Sequence, residues 1–81
     1  MVYVYVIQSE PSGGRYVGIA QDLNRRLKEH NGGQVNSTKA YAPWKLVYQE
    51  TFTSHAEARL REKYLKSSAG RRYLKKILGE G

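Results

Sequence analysis

The sequence contains no cysteine and only two histidines, His30 and His55. Without thiols, the chain can form neither a disulfide framework nor a thiolate zinc site. Two histidines are also too few for a histidine-rich metal centre. The absence of cysteine suits a reducing compartment. We therefore expect a cytoplasmic protein that folds without disulfides or structural zinc.

Long hydrophobic runs are missing as well. No run of 18 apolar residues occurs, so the sequence predicts no transmembrane helix. The first residues have no basic segment and no small-residue cleavage site, so they do not resemble a signal peptide. Because the chain has 81 residues, we predict one domain, residues 1–81, with a thin core.

Acidic residues are few. Seven Asp and Glu stand against fourteen Lys and Arg, which gives a net charge of +7 and a pI near 9.9. A small domain this basic attracts polyanions, and nucleic acid is the commonest partner of such domains. We therefore predict a nucleic-acid partner and no membrane partner, because no predicted helix is both basic and cleanly amphipathic. A basic protein without any polyanionic partner is the alternative.

Hydrophobic periodicity and turn-forming segments predict the element order β-β-α-β-α-α. The first strand is apolar on both faces, which is typical of a central strand. Asp22 is a predicted helix N-cap, and Ser54 begins a capping box with Glu57. We predict an α/β fold of the α+β sandwich type, with a three-stranded, mostly antiparallel sheet flanked by helices. The predicted strands cover residues 1–8, 15–20 and 44–52, and the predicted helices cover residues 23–30, 55–66 and 71–78.

Three further features concern local geometry. Gly18 interrupts a strand, which often marks a bulge or a close approach by a ligand or by backbone. Strand alternation is expected to place Leu46 and Tyr48 on one face. Residues 67–70 are expected to separate the last two helices, the second of which carries four apolar residues on one face: Tyr73, Leu74, Ile77 and Leu78.

Two tyrosines, an arginine and a histidine are the first candidates for chemistry. Tyr5 and Tyr16 lie on strands that are predicted to pair, and Arg26 and His30 are four residues apart on one helix face. An arginine fork suits a phosphate group. A nearby cation would lower the pKa of a tyrosine and let the phenolate act as a base. The alternatives are a solvated arginine and tyrosines that only pack in the core.

Glu62 is the candidate metal ligand. Its same-face neighbours Ala58 and Leu65 are apolar, so its carboxylate should face inward and must be paired or ligate a cation. A single carboxylate is enough for a weak Mg²⁺ site that a substrate phosphate completes. The alternative is an ion pair with one of three nearby cations: Arg59, Arg61 or Lys66.

Two basic segments are candidates for contact with a nucleic-acid backbone. One is the polar face of the last helix, with Arg71, Arg72, Lys75 and Lys76. The other mixes basic and aromatic residues at the start of the third strand, with Lys39, Trp44 and Lys45.

Taken in order, these residues resemble the GIY-YIG nuclease superfamily, particularly its small single-domain bacterial branch. The family's signature has two short tyrosine-containing segments. Tyr3-Val4-Tyr5 stands at the position of the first segment, with Tyr3 in place of the usual glycine. Tyr16-Val17-Gly18 stands at the position of the second segment. The family's catalytic arginine falls on Arg26, and its metal ligand falls on Glu62. Three longer segments carry the rest of the resemblance: residues 22–30, 43–48 and 57–66.

The resemblance implies a metal-dependent endonuclease that acts on DNA rather than RNA. One Mg²⁺ or Mn²⁺ held by Glu62 would stabilise the leaving 3′-oxygen. Tyr5 would be the base, with Tyr16 as the alternative or its positioning partner, and His30 would accept a proton from the phenol. Arg26 would stabilise charge on the scissile phosphate.

Two other functions stay open: a binding module that holds nucleic acid but cuts poorly, and a subunit whose partner completes the site. Related enzymes attach this domain to a targeting or partner domain. Specificity here would therefore come from DNA structure or from a partner protein. The exposed edge of the sheet would also permit a homodimer.

Overall fold

A three-stranded antiparallel sheet of strand order β2-β1-β3 organises the chain. The computed structural model describes residues 1–79, and its element order confirms the predicted β-β-α-β-α-α arrangement. A short 3₁₀ turn, Lys39–Tyr41, lies in the loop that was predicted to be irregular. The strands are β1 (Val2–Ser9), β2 (Arg15–Ala20) and β3 (Trp44–Phe52), and the helices are α1 (Leu23–Asn31), α2 (His55–Lys66) and α3 (Ser68–Leu78).

The central strand β1 divides the core into two clusters. Successive side chains of a strand point to opposite faces of its sheet. On one face, Val2, Val4 and Val6 pack with residues of α2 and α3. On the other face, Tyr5 and Ile7 pack with Trp44 and with the leucines of α1. The prediction that the first strand is central is therefore confirmed.

The register of β3 corrects one prediction. Ile7 pairs with Leu46, but the neighbouring residue Val6 pairs with Tyr48, because a bulge lies between them. An extra residue in one strand shifts all later side chains to the other face. Leu46 and Tyr48 therefore lie on opposite faces of the sheet, not on one.

The connection between α2 and α3 corrects a second prediction. Only Ser67 stands between the helices, and its Oγ caps α3 by accepting a hydrogen bond from the backbone N–H of Gly70 at 3.2 Å. Gly70 lies inside α3, where a Cβ would stand 2.1 Å from the carbonyl oxygen of Tyr64. The segment predicted to be a break is therefore the first turn of α3. Ile77 is 43% exposed and lies off the packed face.

Both predicted N-caps are confirmed. The Asp22 carboxylate accepts from the backbone N–H of Arg25 at 3.1 Å, and the Ser54 hydroxyl accepts from that of Glu57 at 3.2 Å. These bonds satisfy donors that the first turn of a helix leaves unpaired. Across residues 1–79, no helix is long and apolar enough to cross a membrane.

Candidate active site

A buried hydrogen bond joins the central strand to α1. The Tyr5 hydroxyl lies 2.8 Å from Nε2 of His30. Tyr5 is 1% exposed and His30 is 0% exposed, so water does not compete for this bond. The sequence placed these two residues on neighbouring elements, and the fold brings their polar atoms into direct contact.

Gly18 makes room for the Tyr5 side chain. It is the residue opposite Tyr5 in the β1–β2 register. A Cβ on Gly18 would stand 2.5 Å from the Tyr5 hydroxyl oxygen and 2.6 Å from Cζ. Only a residue without a side chain lets the ring lie across β2. Gly18 is therefore a site of close approach, but the approaching group is the Tyr5 side chain rather than the predicted ligand or backbone.

Thr38 holds the other side of the His30 ring. Its hydroxyl oxygen lies 2.8 Å from Nδ1 of His30, and Thr38 is 1% exposed. Its own carbonyl accepts a hydrogen bond from the indole N–H of Trp44 at 2.8 Å. Sequence reasoning missed Thr38, because a threonine in a polar loop has no periodicity that separates it from its neighbours. Only the folded loop shows that it touches the site.

The contacts of Thr38 select one tautomer of His30. The Thr38 hydroxyl donates to the carbonyl of Val35 at 3.3 Å, and a hydroxyl has only one hydrogen to donate. With its hydrogen directed to Val35, the hydroxyl is an acceptor for Nδ1–H of His30. Nε2 is then unprotonated and accepts from the Tyr5 hydroxyl.

We expect ¹⁵N NMR near pH 7.5 to show His30 in the Nδ1–H tautomer. Thr38→Val removes the acceptor while keeping the shape, so it should shift His30 toward a mixture of tautomers, and Thr38→Ser should retain the wild-type state. The exposed His55 is an internal reference in the same spectra. A His30 tautomer that is unchanged in Thr38→Val would contradict this reading of the hydrogen bonds.

Tyr16 lies next to this pair, half buried. Its ring centroid is 6.4 Å from that of Tyr5 and 5.1 Å from that of His30. The Trp44 ring lies on its other side at 6.5 Å, and the ammonium of Lys66 lies 5.9 Å from its centroid. The two tyrosines therefore share one face, as their loop length allowed, and Tyr16 is the more accessible of the two.

Arg26 reaches the same face from α1. Its Nη1 donates to the Glu29 carboxylate at 2.9 Å, and its guanidinium also interacts with the Tyr5 hydroxyl. Its side chain is 37% exposed, compared with 77% for the adjacent Arg25. A guanidinium has five N–H donors, so the pair with Glu29 leaves donors for a phosphate. Arg26 therefore lies closer to the packed face of α1 than Arg25 does.

Electrostatics at the site keep Tyr5 and His30 neutral. Burial raises the pKa of Tyr5 above its ordinary value and outweighs the opposing effect of Arg26. Arg26 therefore lowers the pKa of Tyr5 in the predicted direction, but burial has the larger effect and the net shift is upward. Burial, together with the positive charge of Arg26, lowers the pKa of His30. A neutral His30 can accept a proton at neutral pH.

Glu62 lies on α2. Burial is the main cause of the raised pKa of Tyr5, and the negative charge of Glu62 adds to it. The Glu62 side chain is 21% exposed and pairs with Lys66 at 3.0 Å, while Arg61 is engaged by Glu50 at 2.8 Å. No three His, Cys, Asp or Glu side chains among residues 1–79 are grouped to hold a metal ion. Glu62 would therefore supply the single protein carboxylate of a metal site, which is a donor set that Mg²⁺ accepts.

The residues predicted to contact a nucleic-acid backbone differ in exposure. Trp44 is buried with its indole N–H bonded to Thr38, so its ring packs below Tyr16 and offers no free face for stacking. Lys39 and Lys45 are exposed near the start of β3. The four cations of α3 are exposed, and two of them, Arg71 and Lys75, line a groove beside Tyr16.

This constellation agrees with the comparison with protein families. Residues 1–75 match the family described as the GIY-YIG catalytic domain. The chain belongs to the GIY-YIG family. The matched residues include Tyr3-Val4-Tyr5, although this segment departs from the family's signature at Tyr3.

Relatives of this GIY-YIG chain are of similar length. It is 38% identical to a UPF0213 protein of Staphylococcus saprophyticus over 98% of this chain and 95% of the relative. It is 40% identical to a UPF0213 protein of Staphylococcus epidermidis, covering 93% and 92%. The solution NMR structure of a UPF0213 protein from Bacillus halodurans has a TM-score of 0.57 at 31% identity, covering 98% of this chain and 87% of that one.

Proposed function

We propose that this GIY-YIG protein is a metal-dependent endonuclease that hydrolyses phosphodiester bonds in DNA. The observation that carries the proposal is the buried hydrogen bond between Tyr5 and His30. The guanidinium of Arg26 interacts with the same hydroxyl, and the charge of Glu62 acts on it. A buried phenol bonded to a neutral imidazole forms a path for one proton. Beside it stand a cation for a phosphate and a carboxylate for a metal ion.

Tyr5 and His30 act together as the base. As a water molecule attacks phosphorus, its proton passes to the Tyr5 oxygen, and the Tyr5 hydroxyl proton passes to Nε2 of His30. The phenol is therefore neutral before and after the step, so its raised pKa is no obstacle. Tyr16, which is more accessible, orients the water or is the alternative first acceptor.

Arg26 stabilises the charge that develops on the phosphate. Its free N–H donors suit the oxygens of the transition state, and Glu29 fixes its orientation. A divalent ion bound by Glu62 would supply the positive charge that the leaving 3′-oxygen needs. The products are a 5′-phosphate end and a 3′-hydroxyl end. DNA is favoured over RNA by the family resemblance.

The exposed cations near the site give the protein a positive surface that attracts the substrate backbone over a distance. Lys39 and Lys45 lie at the β3 end, and α3 contributes Arg71, Arg72, Lys75 and Lys76. Specificity would come from DNA structure or from a partner protein.

A nicking assay tests the proposal. Supercoiled plasmid and a branched DNA are incubated with Mn²⁺, Mg²⁺ or EDTA. We expect cutting only with a metal ion, a loss of about 10²–10³-fold in Arg26→Ala, because a transition-state donor is removed, and a comparable loss in Glu62→Ala. Arg25→Ala and Glu10→Ala are matched controls of the same charge change at exposed positions, and they should cut at nearly the wild-type rate.

Two outcomes would contradict parts of the proposal: one the nuclease activity and the other its dependence on a metal ion. If wild type binds DNA but does not cut it with either metal, the protein is a binding module or an incomplete subunit. If it cuts equally well in EDTA and as Glu62→Ala, the metal role of Glu62 is wrong.

A further inference from the structure

A groove runs between β2 and the helices α2 and α3, beside the Tyr5–His30 pair, and Tyr16 lines it. Its volume is about 610 Å³, and it is open to solvent. Its apolar floor is made of Val17, Leu65 and Leu74. Its polar walls come from three different elements and carry four cations: Arg15, Lys66, Arg71 and Lys75.

The charge of this groove points to an anionic ligand. None of the side chains that line it is acidic. Like charges that converge on one concave surface repel one another, and low-dielectric walls focus their field. A bound polyanion would relieve this repulsion. The adjacent flank of α3, with Arg72 and Lys76, carries the same charge without lining the groove.

One wall of the groove is already held in place. Nε of Arg15 donates to the Gln8 side chain at 3.0 Å, and Nη2 donates to the Gly79 carbonyl at 2.7 Å. These bonds fix the guanidinium at the groove edge and leave other donors for a phosphate. A preorganised arginine loses less conformational freedom on binding than a free one.

The groove continues into the catalytic site. Tyr16 lines it and also contacts the His30 ring at 5.1 Å. Lys66 lines it and also pairs with Glu62 at 3.0 Å. A chain of phosphates that lies in the groove would therefore pass directly to the residues proposed to cut it.

We infer that this groove holds the sugar–phosphate backbone of the substrate strand on one side of the scissile bond. The inference rests on the proposed function and adds the path of the strand. It divides the basic face of α3: Arg71 and Lys75 contact phosphates directly, whereas Arg72 and Lys76 contribute only long-range attraction.

Binding measurements with two matched double variants test this path. A fluorescently labelled DNA duplex is titrated in EDTA at several salt concentrations, so that cutting plays no part. Arg71→Ala/Lys75→Ala and Arg72→Ala/Lys76→Ala remove the same charge from exposed positions of one helix. We expect the first pair to weaken binding about tenfold or more and to lower the slope of log K against log salt by about 1.8, since each lost phosphate contact is worth about 0.9. The second pair should change affinity by less than about threefold.

Equal weakening by the two pairs would overturn the groove and leave only attraction by net charge. A wild-type protein that does not bind DNA at all would instead contradict the proposed function. Thermal melts show whether each variant is folded. If Arg71→Ala/Lys75→Ala is not, Arg71→Gln is compared with Arg72→Gln, and equal slopes for these two would likewise overturn the inference.

Discussion

Gly18→Ala is expected to abolish cutting and to destabilise the protein. The new Cβ would stand 2.5 Å from the Tyr5 hydroxyl oxygen and 2.6 Å from Cζ, so the buried ring must move. Movement of the ring breaks its bond to His30, and a displacement of about 1 Å in a reacting group can cost about 100-fold in rate. Overpacking of a core also costs about 1–3 kcal/mol of stability. Nicking assays and denaturant unfolding would measure the two effects.

Gly14→Ala is the matched control for Gly18→Ala. Gly14 lies in the exposed hairpin turn, where a Cβ would meet only the flexible Ser12 hydroxyl at 3.3 Å. This variant should fold and cut nearly as the wild type does. Full activity of Gly18→Ala would show that the ring of Tyr5 has another place to go, and the site geometry described above would then be wrong.

Tyr5→Phe is expected to lower the cutting rate by about 10²–10⁴-fold, the usual contribution of a general base. The change removes one oxygen and leaves Nε2 of His30 without its partner at 2.8 Å. A buried unsatisfied polar group costs about 1–3 kcal/mol, so unfolding should also become easier. Single-turnover nicking with excess protein would separate the chemical step from DNA binding, which should be unchanged.

Tyr16→Phe is the comparison that assigns the base. Tyr16 is half buried and has contacts with ring faces rather than a hydrogen bond to His30. If Tyr5 is the base, Tyr16→Phe should lose much less activity than Tyr5→Phe. The reverse order would make Tyr16 the first acceptor and leave Tyr5 as the group that positions it.

The secondary structure followed largely from local signals. The N-caps at Asp22 and Ser54, the apolar first strand and the glycine-rich hairpin each act within a few residues, so the sequence pattern was sufficient to predict them. The wrong predictions depended on distant parts of the chain. Residues 67–70 were predicted to separate the last two helices, but Gly70 lies inside α3. The backbone of α2 passes so close to it that a side chain would not fit there. The bulge between β1 and β3 is likewise a property of two paired strands.

The candidate site was only partly visible in the sequence. Residue type and order single out Tyr5, Arg26, His30 and Glu62, since few side chains can hold a phosphate, a proton or a metal ion. Three matters were decided by tertiary structure alone: the contact of Thr38 with His30, the neutral state of Tyr5 and the groove formed by β2, α2 and α3. Each depends on distances and burial between residues far apart in the chain. Spacing along the chain determines which residues share an element, but only packing determines which polar atoms meet and how much water they lose.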